Sequence, residues 1–172
     1  MIKFESEKHL EDFITQQFNN DGLCIVDGEQ YEHMERQFTA GLYGVVDLVF
    51  YSSYTAQDWN GLEIDRKVIH VIELKNEPMK LSHIAQLSRY KRYFDLAFEG
   101  ANIELHYSLV VPESVSKSDD AKWLIDSLKD INVIEFTLDP INGIRFDRSI
   151  GWMKTDETYK DAMGIFDIGR GL

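Results

Sequence analysis

Two apolar runs that carry charge where charge is expensive constrain the fold of this chain more than anything else in it. The first reads Gly44-Val45-Val46-Asp47-Leu48-Val49-Phe50; the second, whose glutamate lies 26 positions after that aspartate, reads Val68-Ile69-His70-Val71-Ile72-Glu73-Leu74-Lys75. Both are short, rich in β-branched residues and nearly continuous in apolar side chains, the pattern of strands covered on both faces. Alternate side chains of a strand share a face, so Glu73 and Lys75 project with Ile69 and Val71, while His70, Ile72 and Leu74 point the other way. His70 on that apolar face reads as a satisfied core histidine. If the Gly44 run lies beside the second run, Asp47 joins Glu73 and Lys75, and two carboxylates meet one ammonium.

Charge among apolar neighbours has to be paired or metal-bound, because desolvating it otherwise costs several kcal/mol or more. Two clustered carboxylates repel, and a hard divalent cation relieves the repulsion. Mg²⁺ is ordinarily held by one or two carboxylates together with waters and substrate phosphates, which Asp47 and Glu73 suit. An ammonium beside such an ion can orient a water or stabilise charge building on a phosphate, so Lys75 completes a pattern for metal-assisted phosphodiester hydrolysis. A bare Glu-x-Lys arises by chance roughly once in a chain of this length. The apolar flanks give it weight here, the alternative being a structural ion pair at a strand end.

Asp47, with Glu73-Leu74-Lys75 closing an apolar strand, resembles the PD-(D/E)XK nuclease superfamily. Members of that superfamily often begin with a helix bearing a glutamate near the metal, a place that Glu7 fits, and many carry a Gln and a Tyr four apart on the helix after the Glu-x-Lys strand, matched by Gln86 and Tyr90. The resemblance covers roughly residues 5 to 95 and departs at Val46, where the pattern has proline. It implies a restriction-endonuclease-like fold, with Asp47 and Glu73 holding Mg²⁺ or Mn²⁺, the Leu74 carbonyl as a third ligand and Lys75 beside the attacking water. Gln86 and Tyr90 would then support Lys75 or the scissile phosphate, and Glu7 would act from just outside the ligands. The implied substrate is DNA, with RNA as an open alternative, cut to leave a 5′-phosphate and a 3′-hydroxyl.

Charge argues partly the other way. The net charge is −12, whereas phosphate binding draws on Lys and Arg. Residues 1 to 65 hold 13 acids and 3 bases, but residues 66 to 92 hold seven bases (Arg66, Lys67, Lys75, Lys80, Arg89, Lys91, Arg92) against Glu73 and Glu77. The expectation is an acidic body with a basic stretch wrapped around the site, binding a polyanion with strong salt sensitivity. Two rival readings follow from the acidic block: a catalytically inactive module of the same fold that docks a protein partner, and an acidic nucleic-acid mimic that inhibits one.

A chain of 172 residues with 44% apolar content is one core's worth of protein. No run approaches the roughly 18 apolar residues of a membrane span, and Met1-Ile2-Lys3-Phe4-Glu5 lacks a signal region, so the expected setting is soluble and cytoplasmic. Cys24 is the lone cysteine, which leaves neither an internal disulfide nor a thiolate cluster, and its apolar setting makes it an inert core residue. There is no Gly-rich loop with Lys-Ser/Thr, no Gly-x-Ser-x-Gly elbow and no closely spaced histidine pair.

In chain order, Ser6 starts a helix with Phe4, Leu10, Phe13, Ile14 and Phe18 at helical spacing, ending near Asn19-Asn20-Asp21-Gly22. Glu7 and Glu11 share one face of it, Glu11 as a solvated residue. Leu23 to Val26 reads as a strand and Glu29 to Arg36 as a loop or helical turn. Gln37 to Tyr51 reads as one strand or two, bent at Gly41 or Gly44. Ser52 to Lys67 reads as a long polar connection, in which Trp59 caps or packs on the core in preference to stacking on a base. Ser82 caps a helix running to about Phe98, with Ile84, Leu87, Tyr90 or Lys91, and Phe94 as its core stripe. Ile103 to Pro112 and Val133 to Thr137 are strands, and Asp119 to Lys129 is an amphipathic helix. That order gives an α/β fold, a three-layer-type sandwich with a central mixed β-sheet flanked by helices. Residues 1–139 form the nuclease-like domain, and 140–172 a C-terminal appendage packed on it or on a second subunit, which makes a homodimer one open arrangement.

Overall fold

A computed structural model describes residues 4–113, 123–126, 128–139, 141–147 and 151–153. The two charged apolar runs are strands β4 (Val45–Gln57) and β5 (Glu63–Leu74), paired antiparallel from Leu48–Ile72 out to Gln57–Glu63. Before them come helix α1 (Glu7–Asp21), the short strands β1 (Leu23–Cys24) and β2 (Glu29–Gln30), and β3 (His33–Thr39). After them come α2 (Leu81–Ala97), β6 (Glu104–Pro112), β7 (Asn132–Asp139) and β8 (Gly143–Phe146). β1 and β2 form a separate two-stranded ladder, and the main sheet has six strands in the order β3-β4-β5-β6-β7-β8. The β5–β6 and β6–β7 pairs are parallel and the others antiparallel, so the sheet is mixed, as expected. α2 is the crossover that lets β6 run parallel to β5.

Two apolar clusters place the helices on opposite faces. Leu10, Phe13 and Ile14 of α1 pack with Leu48, Phe50, Ile72 and Leu74. Ile84, Leu87, Tyr90 and Phe94 of α2 pack with Val49, Ile69, Val71 and Leu109. Both faces of β5 are therefore covered, which is why its sequence reads as a continuous apolar run instead of an alternating one. Among the described residues, no helix is long and apolar enough to cross a membrane.

Helix ends follow local chemistry. Ser6 caps α1 by accepting from the His9 amide at 3.3 Å. Gly22, at a φ of 74°, closes the helix by donating its amide to the Phe18 carbonyl at 2.7 Å. α2 starts two residues earlier than a Ser82 cap would allow. Lys80 is its cap, and His83 Nδ1 accepts the Lys80 amide at 3.1 Å while its Nε2 meets Glu77 at 3.0 Å.

Several sequence expectations need correction. Residues 52–67 are no loose connection: β4 and β5 run through them as a ribbon closed by a turn around Asp58, whose carboxylate accepts the Asn60 and Leu62 amides. Exposed Ser, Thr, Tyr and Gln on a strand resemble loop composition, and cross-strand pairing decides the matter. Trp59 at the tip is 93% exposed and covers no core. Glu29 to Arg36 supplies β2 and the start of β3, not a loop or helical turn. β8 pairs with β7, so the sheet continues past residue 139. Residues 123–126 are helical, within the amphipathic segment expected at 119–129, and the rest of that segment through 122 and the tail from 154 lie outside the described residues.

His70 behaves as expected of a core histidine. Its Nδ1 lies 2.7 Å from Asp27 and its Nε2 2.7 Å from Ser108, and Tyr31 donates to the same Asp27 oxygen at 2.7 Å. Cys24 is buried, and burial pushes its thiol well above the ordinary range, as suits an unreactive core residue.

Candidate active site

Asp47 and Glu73 stand one step beyond the last β4–β5 ladder pair, Leu48–Ile72, and so come opposite each other on neighbouring strands. Asp47 Oδ2 accepts the backbone amide of Leu74 at 2.8 Å, and Asp47 Oδ1 accepts from Gln37 Nε2 at 3.3 Å. Glu73 is 1% exposed. Its Oε1 accepts from Lys75 Nζ at 2.9 Å, while its Oε2 is buried with no hydrogen-bond partner.

The electrostatics follow from that crowding. Burial, and then the charge of Asp47, push Glu73 up to about 7. Burial also raises Asp47, and the Leu74 amide and the Lys75 charge offset the rise only in part. Burial pulls Lys75 down, but its hydrogen bond to Glu73 and the charges of Glu73, Glu7 and Asp47 outweigh burial and hold it above the ordinary lysine range. Lys75 is thus a persistent cation, suited to stabilising negative charge and unsuited to taking a proton.

Glu7 lies 3.8 Å from Lys75 and is about half exposed, at the mouth of the cluster. Gln86 Nε2 donates to the Tyr90 hydroxyl at 2.9 Å, and that hydroxyl donates to the Val45 carbonyl at 2.7 Å. These two residues therefore brace the start of β4, two positions before Asp47. The bracing needs Gly44 at φ 118°, where an added Cβ would stand 3.2 Å from the Tyr90 ring.

Glu11, expected on a solvated face, is only 6% exposed. It accepts from Arg36 Nε at 2.6 Å and Gln37 Nε2 at 2.9 Å, and its charge reaches Asp47. The missed signal is the Arg36-Gln37 pair: with Arg36 read in a loop or helical turn and Gln37 at the start of a strand, the base and the amide have no partner to assign until both lie on β3 near α1. Nor does the basic stretch close on the site. Arg66 pairs with Glu104, Lys80 with Glu77 and Lys91 with Asp95. Arg66 and Lys67 also lie about 20 Å along β5 from Glu73, at roughly 3.3 Å per residue. On α2, Arg89 and Arg92 are exposed.

The residues present fit a hard divalent cation. Two carboxylates raise each other's affinity for positive charge, and an orphaned, buried carboxylate oxygen is an acceptor waiting for a partner. Among the described residues, no three His, Cys, Asp or Glu side chains converge into a full protein cage. Mg²⁺ asks for no such cage, since it keeps waters and phosphate oxygens among its ligands. Compared with known proteins, the chain matches no family model, no curated protein and no solved structure.

Proposed function

We propose that this protein is a metal-dependent nuclease of the PD-(D/E)XK type, with a restriction-endonuclease-like fold, acting on DNA phosphodiester bonds. The observation that carries the reading is buried Glu73 facing half-buried Asp47 beside the Lys75 ammonium, with Glu73 Oε2 left without a donor. Asp47 and Glu73, with the Leu74 carbonyl, would hold Mg²⁺ or Mn²⁺. When bound, the ion would lower the pKa of a water and neutralise charge on the phosphate. Lys75, kept protonated by its carboxylate neighbours, holds that water through its N–H donors and stabilises the extra negative charge of the phosphorane-like transition state. The water gives up its proton to bulk solvent and its oxygen bonds to phosphorus as the bond to the 3′-oxygen breaks; the departing 3′-oxygen takes a proton from a solvent molecule, leaving a 5′-phosphate and a 3′-hydroxyl. Glu7 steers Lys75 from the solvent side, Gln86 and Tyr90 fix the strand that carries Asp47, and Arg89 and Arg92 are the exposed cations of α2 available to the DNA backbone.

The test joins binding to chemistry. Mg²⁺ or Mn²⁺ at about 100 times its dissociation constant should stabilise the fold by about 2.7 kcal/mol, seen as a raised melting temperature. Single- and double-stranded labelled DNA should be cut with metal and spared with chelator. Lys75→Ala should slow cutting by roughly 10²- to 10³-fold, the usual cost of removing one transition-state donor. A melting temperature that neither metal moves, with DNA and RNA substrates all intact, would refute the reading.

A further inference from the structure

Gln37 sits at the border of the site in a conformation its residue type disfavours. Among the described residues, it is the non-glycine residue with a left-handed φ, 50°. Such strain persists only where the surroundings over-determine it, and it concentrates at functional positions. The β3–β4 ladder breaks at the same point: Arg36 pairs with Leu48 and Phe38 with Val46, while the pair between them, Gln37 and Asp47, is skipped.

Both strands change layers across that break. Met34 and Leu48 pack against the α1 cluster, whereas Phe38 and Val46, an even number of residues away, pack in the α2 cluster. A regular strand would keep all four on fixed faces. The twist frees the Gln37 side chain from the ladder and turns its amide between two carboxylates, 2.9 Å from Glu11 Oε2 and 3.3 Å from Asp47 Oδ1. An amide nitrogen has two protons, one for each acid, and the reversed orientation would bring its oxygen against both acceptors. Glu11 is itself fixed by Arg36. Asp47 then has one oxygen held by the Leu74 amide of β5 and the other by Gln37 of β3, so two donors on opposite sides set the plane of its carboxylate.

We propose that Gln37, anchored by Glu11, is a positioning residue that holds Asp47 in the orientation in which it takes a divalent cation together with Glu73. The inference rests on the metal-binding part of the function proposed above and not on cleavage. If Gln37 only ties β3 to α1, its loss changes stability and leaves metal affinity alone.

Gln37→Gly separates the two roles, because glycine adopts the left-handed backbone without strain and removes only the amide. Calorimetric titration of the full chain with Mn²⁺ should show affinity about 10- to 100-fold weaker than wild type, the usual loss for a partner that orients a metal ligand, with the melting temperature held or raised. On DNA, kcat should fall while KM stays constant. Gln37→Asn, which also tolerates a positive φ but is too short to span both acids, should lose affinity as well and serves should the glycine variant fail to fold. Mn²⁺ affinity within about twofold of wild type in both variants, well under the tenfold that 1.4 kcal/mol represents, overturns the inference and leaves the nuclease reading untouched. A wild type that binds Mn²⁺ and cuts nothing, with affinity lost in Gln37→Gly, supports the inference while the nuclease reading falls.

Discussion

β5 carries two buried polar clusters three residues apart in sequence, and they are built on opposite rules. At His70, Asp27 is an acceptor for His70 and Tyr31, and Ser108 completes the second ring nitrogen. Burial pushes Asp27 up, but the His70 hydrogen bond and the Glu29 and Tyr31 donors outweigh it and hold the carboxyl below the ordinary range. At Glu73, the Lys75 ammonium answers one carboxylate oxygen, the other has no donor, and burial pushes both Glu73 and neighbouring Asp47 up. Both clusters lie under similar cover, so burial alone does not distinguish a structural network from a poised one. Satisfaction of hydrogen bonds does: a satisfied network ties elements together, and an unsatisfied one stores a demand for a ligand.

The sharpest way to break the contrast is Glu73→Gln. Cleavage should fall by at least roughly 10²- to 10³-fold, while the fold gains stability at alkaline pH. The raised pKa of Glu73, about 7 against 4.5, means that the native state binds a proton more tightly than the unfolded chain. The stabilisation is full below about pH 4.5 and is lost as pH rises through 7, an effect on the order of 3 kcal/mol at 1.36 kcal/mol per pKa unit. Denaturant titrations at pH 5 and pH 8 should show that loss in the metal-free wild type and a flatter profile in Glu73→Gln. A wild type equally stable at both would mean that Glu73 is already satisfied.

His70→Ala tests the other cluster. It strands Ser108 and leaves Asp27 short of its main partner, at a cost of about 2–3 kcal/mol in denaturant unfolding. Mn²⁺ affinity should hold, since the cluster's work is to tie the β1–β2 segment to the sheet. A large loss of affinity would show that the two clusters are coupled. Trp59→Ala, at the exposed tip of the β4–β5 ribbon, sets the baseline: thermal stability should move by no more than about 0.5 kcal/mol, and a larger change would mean that the tip is covered.

Strand existence was readable where cover is two-sided. β4 near Asp47, β5 near Glu73, β6 and β7 announce themselves by apolar runs, and α1 and α2 by helical spacing. The ribbon from Ser52 to Lys67 was not readable, because its strands extend beyond the helices and show solvent-facing polar residues that composition assigns to loops. Of the candidate site residues, Asp47, Glu73 and Lys75 could be brought together from strand parity plus a single assumption about neighbouring strands. Glu11 and Gln37 could not, because their roles depend on a break in the β3–β4 ladder, where both strands change faces without any mark in the order of their apolar and polar residues.

By itself, the sequence determined that two acids and an amine would lie on or just beyond buried stretches of strand, since apolar runs with isolated charge admit few other placements. Tertiary structure alone decided which charges are answered. Arg36 reaches Glu11, Arg66 reaches Glu104, and Glu73 Oε2 is left without a donor. The reason is physical: burial of a segment follows from its own residues, whereas the pairing of a charge depends on which distant side chain the sheet brings within about 3 Å of it.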